Sequence, residues 1–564
     1  MNQRFARKIV YALAIAALLL PLSWLSQPAT TESDGGLLSR MRKQYQLGQA
    51  SLGEIDPASE TIKLATLGMR GVAVNILWEK ANYYRKTEDW ANLSATLEQI
   101  VKLQPNFVSV WIFQGWNLSY NISVEFDDYR DRYYWVIKGI EFLKEGITYN
   151  TREPRLLSEI GETIGRKIGT ADERVQFRRL FREDDDFNGP RPLAQRDNWL
   201  VGREWLLSAQ QLVEQGAPLR GKSPLLFYAQ APMCLINYSE AIEEDGTFGE
   251  VGRAGWKKAA DSWTQYSQRD LPTQYGFAIR LGDKEIYDKR AQDARAELDR
   301  LTPEGLREKI QAEKLASLTS EEREINDMAP QERTKEHADA LYGIQLKLAI
   351  SPTEIADRVA PENHATALKA ADEVTQSEFV ARAIDTDRGI VNYDYWMLRC
   401  RVEPTDDAID ARKLIYDADH AFLAAQLVSS RDSYEQGWKK WRLVLDMNPM
   451  LLTDSTSTDE LAESISHYRN VLHQLDEKFP EPFILQDVID ADVKFRGPRY
   501  TTSSGSVRPG STTDSEKPAG EAPAAGDAQP PDAGGQKPSG DQPPEDKSQT
   551  QSAPSQPSAS ETPK

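Results

Sequence analysis

The sequence predicts an all-α fold: a solenoid of stacked helical hairpins, with an apolar segment in front and a proline-rich tail behind. Three observations point there. Small and apolar residues recur in register at a spacing of 34 positions, as between Leu77 and Trp111. Prolines such as Pro105 and Pro449 fall where the second helix of a pair should stop. Helix starts are written as capping boxes, in Thr319 with Glu322 and in Ser351 with Pro352 and Glu354.

The first helix pair is read from Leu77, Ala81, Tyr84, Leu93, Leu97, Ile100 and Pro105. Ala81 lets two helices approach closely while Leu77, Tyr84 and Leu97 fill the space around the contact. One period later Trp111, Gln114, Gly115 and Leu118 open a second pair, closed by Gly139, Leu143 and Gly146. Twelve extra residues separate its helices, and a longer hairpin is expected to absorb them. A third pair reopens at Leu157, Ile160, Gly161 and Ile164. Downstream, Ala421, Ala424, Ala425, Val428, Gly437, Trp441, Val444 and Pro449 repeat the pattern. On these residues, over roughly a third of its length, the chain resembles the tetratricopeptide-repeat family. That resemblance implies a tetratricopeptide-like helical-hairpin solenoid that acts as a scaffold. Gln114 in a leucine slot and Ala421 in the tryptophan slot depart from the family pattern.

The N-terminus carries Arg4, Arg7 and Lys8 before an uncharged stretch from Ile9 to Leu25. About 17 such residues are enough for an N-terminal transmembrane helix. Gln27 and Pro28 stand where a cleavage site wants small residues, so residues 1–30 read as an uncleaved signal anchor. The charge bias keeps the N-terminus cytoplasmic and sends the bulk of the chain outside. A linker at 31–55 and the first repeats at 56–170 follow. A helical region with an acidic loop is expected at 171–282, charged helices at 283–350, and a second repeat-like region at 351–496.

The charge of −19 repels phosphate backbones, so no nucleic-acid partner is expected. Cys234 and Cys400 are too few for a disulfide framework or a cluster, and read as two buried thiols. The charged stretch has sparse apolar positions at Ile286, Leu298, Leu301, Leu306, Ile310, Leu315 and Leu318, with Thr302 before Pro303 as a helix start. Residues 497–564 read as a disordered tail: from 501 onward there is no aromatic residue, one large aliphatic at Val507 and eleven prolines.

No catalytic constellation emerges, and neither a cofactor nor a metal site is expected. Asp184, Asp186, Asn188 and Gly189 match the first half of a calcium loop, but Gln195 stands where the bidentate glutamate belongs, and an acidic surface loop is the simpler reading. His467 and His473, six positions apart, do not share a helix face. Carboxylates are so abundant that no pair can be chosen from the sequence. Gly255-Trp256-Lys257-Lys258 is echoed by Gly437-Trp438-Lys439-Lys440, which reads as a packing device that opens the second helix of a pair.

The one stretch richer in aromatic and charged residues than packing needs is the expected inserted hairpin. Its candidate interaction surface is Tyr120, Asp127, Asp128, Tyr129, Arg130, Arg132, Tyr133 and Tyr134. With the anchor, the repeats and the tail, the stretches Trp199 to Trp205 and Pro218 to Leu225 are similar to a planctomycete-type family of membrane-anchored, tetratricopeptide-like proteins, a resemblance that implies no catalytic residue. The expectation is a membrane-anchored, extracytoplasmic scaffold for a protein partner in the membrane or envelope. The alternative is an envelope enzyme or a solute- or glycan-binding protein on the same helical body. A pocket with convergent ionisable groups would favour that alternative.

Overall fold

A computed structural model describes residues 70–496, with Leu37 and Arg40 as isolated positions. The expected anchor at 9–25 and the tail from 497 lie outside the described residues, among which no helix is long and apolar enough to cross a membrane.

Among the described residues the fold is all-α apart from a hairpin of two two-residue strands, β1 (Leu271–Pro272) with β2 (Ala278–Ile279). Helices α1 (Arg70–Lys86), α2 (Trp90–Leu103), α3 (Val108–Trp116), α4 (Tyr129–Tyr149) and α5 (Pro154–Glu162) pack one on the next. Asp89 starts α2 by accepting the Asn92 amide at 3.2 Å. Pro105 ends it, and its carbonyl is then held by Trp111 Nε1 at 2.7 Å and Asn150 Nδ2 at 2.9 Å. That proline therefore both breaks one helix and fixes the register of the next pair. Ala81, Leu93, Leu97, Ile100, Trp111, Leu143 and Ile160 are all buried in one core.

Close approach explains the glycines. A Cβ on Gly115 would lie 2.5 Å from Leu143 Cγ, and one on Gly146 would lie 2.9 Å from the Trp111 ring. The twelve extra residues do not form a longer hairpin. Instead α3 runs on through a π-helical stretch, Asn117–Ile122, and a 3-10 turn, Ser123–Glu125, so the insertion lengthens a helix and a short loop precedes α4. Helix α5 likewise continues through π-helical Thr163–Lys167 to Ile168–Thr170.

Beyond α6 (Arg174–Glu183) come α7 (Asn198–Glu214), α8 (Pro224–Glu244) and α9 (Gly249–Ser267). Helix α7 crosses α5 glycine on glycine: a Cβ on Gly161 would meet the Gly202 carbonyl at 2.6 Å, and the converse distance is 2.7 Å. The charged helix α10 (Lys284–Leu301) leaves the stack and pairs antiparallel with the 30-residue α14 (Pro361–Ile390), joining residues on either side of position 350. Between them lie α11 (Leu306–Ser317), α12 (Ser320–Asp327) and α13 (Lys335–Leu348). Both expected capping boxes are present, at Thr319 and Ser351. Thr302 instead ends α10, and α11 opens three residues later behind Gly305 at φ 76°.

The chain returns with α15 (Tyr393–Val402), which packs on α9, and finishes with α16 (Asp406–Leu423), α17 (Leu427–Met447), α18 (Ser455–Gln474) and α19 (Gln486–Arg496). Gly437, Trp441 and Val444 are buried on α17 as the spacing requires. Ala421, Ala424, Ala425 and Val428 do not form the first helix of that pair. They lie at the end of α16, in the turn, where Ala425 has φ 58°, and at the start of α17, because α16 already supplies the partner helix. The two cysteines are buried free thiols, pushed up to about 12 by burial.

Candidate functional site

Helical periodicity puts charge on faces that meet. On α8, Glu240, Glu243 and Glu244 stand at i, i+3 and i+4 and share one side of the helix. Arg399 with Glu403, Arg412 with Tyr416, and Glu460 with Ser464 do the same on α15, α16 and α18. Arg174 and Arg178 add a face of α6. These five faces enclose a cavity of about 620 Å³, whose apolar walls are Trp199, Phe248, Ile415, Trp441 and Leu461.

At its base lies a buried ion cluster. The Arg399 side chain, 1% exposed, makes two hydrogen bonds to Glu460 at 2.8 and 2.9 Å. It also pairs with Glu240 at 3.1 Å and Glu403 at 3.2 Å, while Trp256 and Trp396 stack near its plane. Arg412 binds both oxygens of Glu403 and reaches Glu460 at 3.2 Å, beside the ring of Trp441. Glu243 accepts the Trp256 indole N–H at 2.8 Å and lies 3.7 Å from Arg412 Nε. Two guanidinium groups thus face four carboxylates.

That imbalance sets the proton affinities. Burial pushes Glu240 and Glu243 up to about 7, against the pull of Arg399 and Arg412. Burial acts on Glu460 too, but Arg399 and Arg412 together outweigh it and hold the carboxyl below the usual glutamate value. Glu240 and Glu460 keep 32% and 39% of their side-chain surface accessible although protein surrounds them, which is the exposure of groups facing a cavity.

A second ion cluster lies where α6 meets the end of α8. Arg178 bridges Glu244 and Asp245 at 2.7 Å each, with Arg174 and Arg182 flanking it. At the rim, Asp419 takes the Tyr434 hydroxyl and contacts His467 Nδ1 at 3.1 Å, which raises the His467 pKa. The His420 ring stacks on Tyr416 at 3.9 Å. Compared with known proteins, the chain matches no family model, no curated protein and no solved structure.

The expected interaction surface lies elsewhere and divides by orientation. Tyr133 is buried and donates to Asp184 at 2.9 Å, Tyr120 stacks on Trp116 with burial raising its phenol, and Tyr129 packs against the first core. Arg132 is tied to Glu173 and to the Phe126 carbonyl. Asp127, Asp128, Arg130 and Tyr134 are exposed, with Asp128 capping α4 through the Arg130 amide at 2.7 Å. The calcium-like segment is a helical turn, Asp185–Asn188, in which Asp184 serves as the cap and Asn188 turns inward to the Phe181 carbonyl. Among the described residues no three His, Cys, Asp or Glu converge as metal ligands.

Glu240, Glu243, Arg399, Arg412 and Glu460 had no place among the sequence candidates. Their signal was i, i+4 charge spacing such as Arg399 with Glu403. In a chain this acidic, the same spacing also marks every solvated helix face.

Proposed function

We propose that this chain is a helical-repeat binding protein, held at a membrane by residues 9–25 and working outside the cytoplasm, whose ligand site is the charged cavity. One observation carries the reading: a water-accessible cavity whose base is a buried cluster of four carboxylates and two arginines. A buried ion cluster is a poor stabiliser, since well-packed apolar side chains of similar volume commonly do as well or better. Its place beside an open cavity therefore favours recognition over packing. Trp441 and Trp199 on the walls supply a built-in reporter.

The test is a melting and tryptophan-fluorescence screen of the detergent-solubilised full chain against amines, sugars, amino acids and organic acids. At least one class is expected to raise the melting temperature and perturb the fluorescence. A flat response across all four classes would end the reading. The topology is checked by a reporter fused after Pro498, expected to be active only outside the cytoplasm.

A second reading, a platform for a protein partner, is supported by the exposed group Asp127, Arg130 and Tyr134. Alanine at these three positions should leave helicity intact and weaken crosslinked capture of a membrane partner. Unchanged capture would locate the platform elsewhere.

A further inference from the structure

The guanidinium groups around the cavity are each paired with carboxylates, and Arg178 Nε is a buried donor left without a partner. Arg399 spends its N–H groups on Glu460, Glu240 and Glu403, and Arg412 on Glu403 and Glu460. Where α6 meets the end of α8, Arg174 and Arg178 are tied to Glu244 and Asp245. An anion at any of the paired nitrogens would have to displace a carboxylate, at the cost of leaving that carboxylate unpaired in a buried place. The acceptors are not used up. Glu240 has a single 3.1 Å ion pair, through Oε1. Glu243 gives Oε1 to the Trp256 indole, and its Oε2 has only the 3.7 Å approach of Arg412 Nε. Glu240 Oε2 and Glu243 Oε2 accept no hydrogen bond from the described residues, and the i, i+3 spacing sets the two carboxyls side by side on α8.

Resting on the reading of this cavity as a ligand site, we infer that its occupant is a small organic ammonium ion whose head group sits between Glu240 and Glu243. The cavity favours a cation, because four carboxylates face two guanidinium groups at its base and two carboxylate oxygens there remain open as acceptors. Among the described residues no three acidic or histidine side chains are placed as a ligand set for a bare metal ion. The indole of Trp441 already lies beside a guanidinium, at 5.3 Å, and the walls of Phe248 and Ile415 suit an aliphatic or sugar body. A volume of about 620 Å³ fits a ligand of metabolite size.

A proton linkage follows. Burial holds Glu240 and Glu243 at about 7, so the empty cavity carries protons near neutrality that an ammonium ion must expel. The groups facing this pair are Arg399 and Glu403 from α15, Arg412 from α16, Glu460 from α18 and the Trp256 indole from α9. Arg399 and Arg412 are held above the ordinary arginine value and Glu460 below the ordinary glutamate value by their mutual pairing, and Asp419 raises His467 at the rim, so it is the loss of proton release in E240Q/E243Q that assigns the protons to Glu240 and Glu243.

The experiment is isothermal titration of the detergent-solubilised full chain with putrescine, 1,4-butanediol and succinate, which share four carbons and differ in charge. Glucosamine and glucose form a second pair. The amines should bind about tenfold or more tightly than their neutral counterparts, and succinate should give no heat of binding. Putrescine affinity should rise about tenfold from pH 6 to pH 8, with heats that depend on the buffer's ionisation enthalpy because protons are released. The variant E240Q/E243Q should lose about tenfold or more in amine affinity. It should also lose the proton release, while its circular dichroism stays that of the parent. Butanediol or succinate binding as well as putrescine would overturn the ammonium inference and leave the cavity reading standing. Silence from all five probes would overturn both. Full amine binding by a folded E240Q/E243Q would place the site elsewhere and overturn the inference.

Discussion

The tetrapeptide Gly-Trp-Lys-Lys occurs twice, and its two copies build opposite kinds of interior. In α9 and in α17 the glycine sits at a helix crossing, where a Cβ would lie 2.8 Å from Ser239 Oγ or 2.9 Å from Ile415 Cδ1. Both tryptophans are fully buried. Trp438 stands in an aromatic core with Tyr434, Tyr468 and Phe483, and its indole nitrogen finds no partner. Trp256 instead stacks near Arg399 and donates to Glu243, becoming one wall of the ion cluster. The local sequence sets the packing of the helix pair. Residues on other helices decide whether the space beyond is apolar or charged.

The comparison can be broken most forcefully at its two centres. Arg399→Ala leaves Glu460, Glu240 and Glu403 short of a cation, and should cost about 3–5 kcal/mol at pH 8 by chemical denaturation. The cost should shrink at pH 5, where the orphaned carboxyls take up protons. Trp438→Ala should cost a similar 3–5 kcal/mol through its cavity, with no such pH dependence. Equal pH profiles for the two variants would mean that the cluster is not the ionised network described.

The proton inventory sharpens the contrast. Glu240 and Glu243 sit above the ordinary glutamate value of 4.5, so the native chain holds protons there that the unfolded chain has lost. The stability they contribute is complete below pH 4.5 and disappears as pH rises through about 7. Relative to E240Q/E243Q, the parent should lose roughly 2 kcal/mol between pH 5 and pH 8, discounted from the full linkage value because water reaches Glu240. Urea denaturation at the two pH values measures it, and parallel curves for parent and variant would contradict it.

A smaller effect separates the tryptophans themselves. Trp256→Phe removes the donor to Glu243 and should cost about 1–3 kcal/mol. Trp438→Phe removes a buried N–H that had no partner, so its cost should be smaller by at least about 1 kcal/mol. Smallest of all, Gly255→Ala and Gly437→Ala should each stay within about 1 kcal/mol of the parent, as helix propensity offsets the displacement of Ser239 Oγ or Ile415 Cδ1.

Much of the stack is legible in the sequence. Leu93, Leu97, Ile100, Trp111, Ile160, Trp441 and Val444 are buried where their spacing put them, since apolar periodicity records which face a helix hides. Thr319 and Ser351 cap as their boxes require. The inserted residues after Leu118 were misread because nothing local distinguishes a hairpin from a helix that continues through a π-helical stretch. The segment from Ala421 to Val428 was misread because alanines suit a helix interior and a helix end alike. The ion cluster was illegible for a different reason. Charge on a helix face means solvent unless another charged face lies against it, and that pairing joins α8 to helices more than 150 residues away.

The most direct test of the charged cavity is infrared difference spectroscopy of the full chain against E240Q/E243Q, titrated from pH 5 to pH 9. The predicted result is a parent-minus-variant protonated-carboxyl band that fades around pH 7 and is abolished at that pH by putrescine, on top of the band of Glu159, which burial also pushes up to about 7 in both proteins. A parent spectrum with no protonated-carboxyl band above pH 6 that the variant lacks would contradict it.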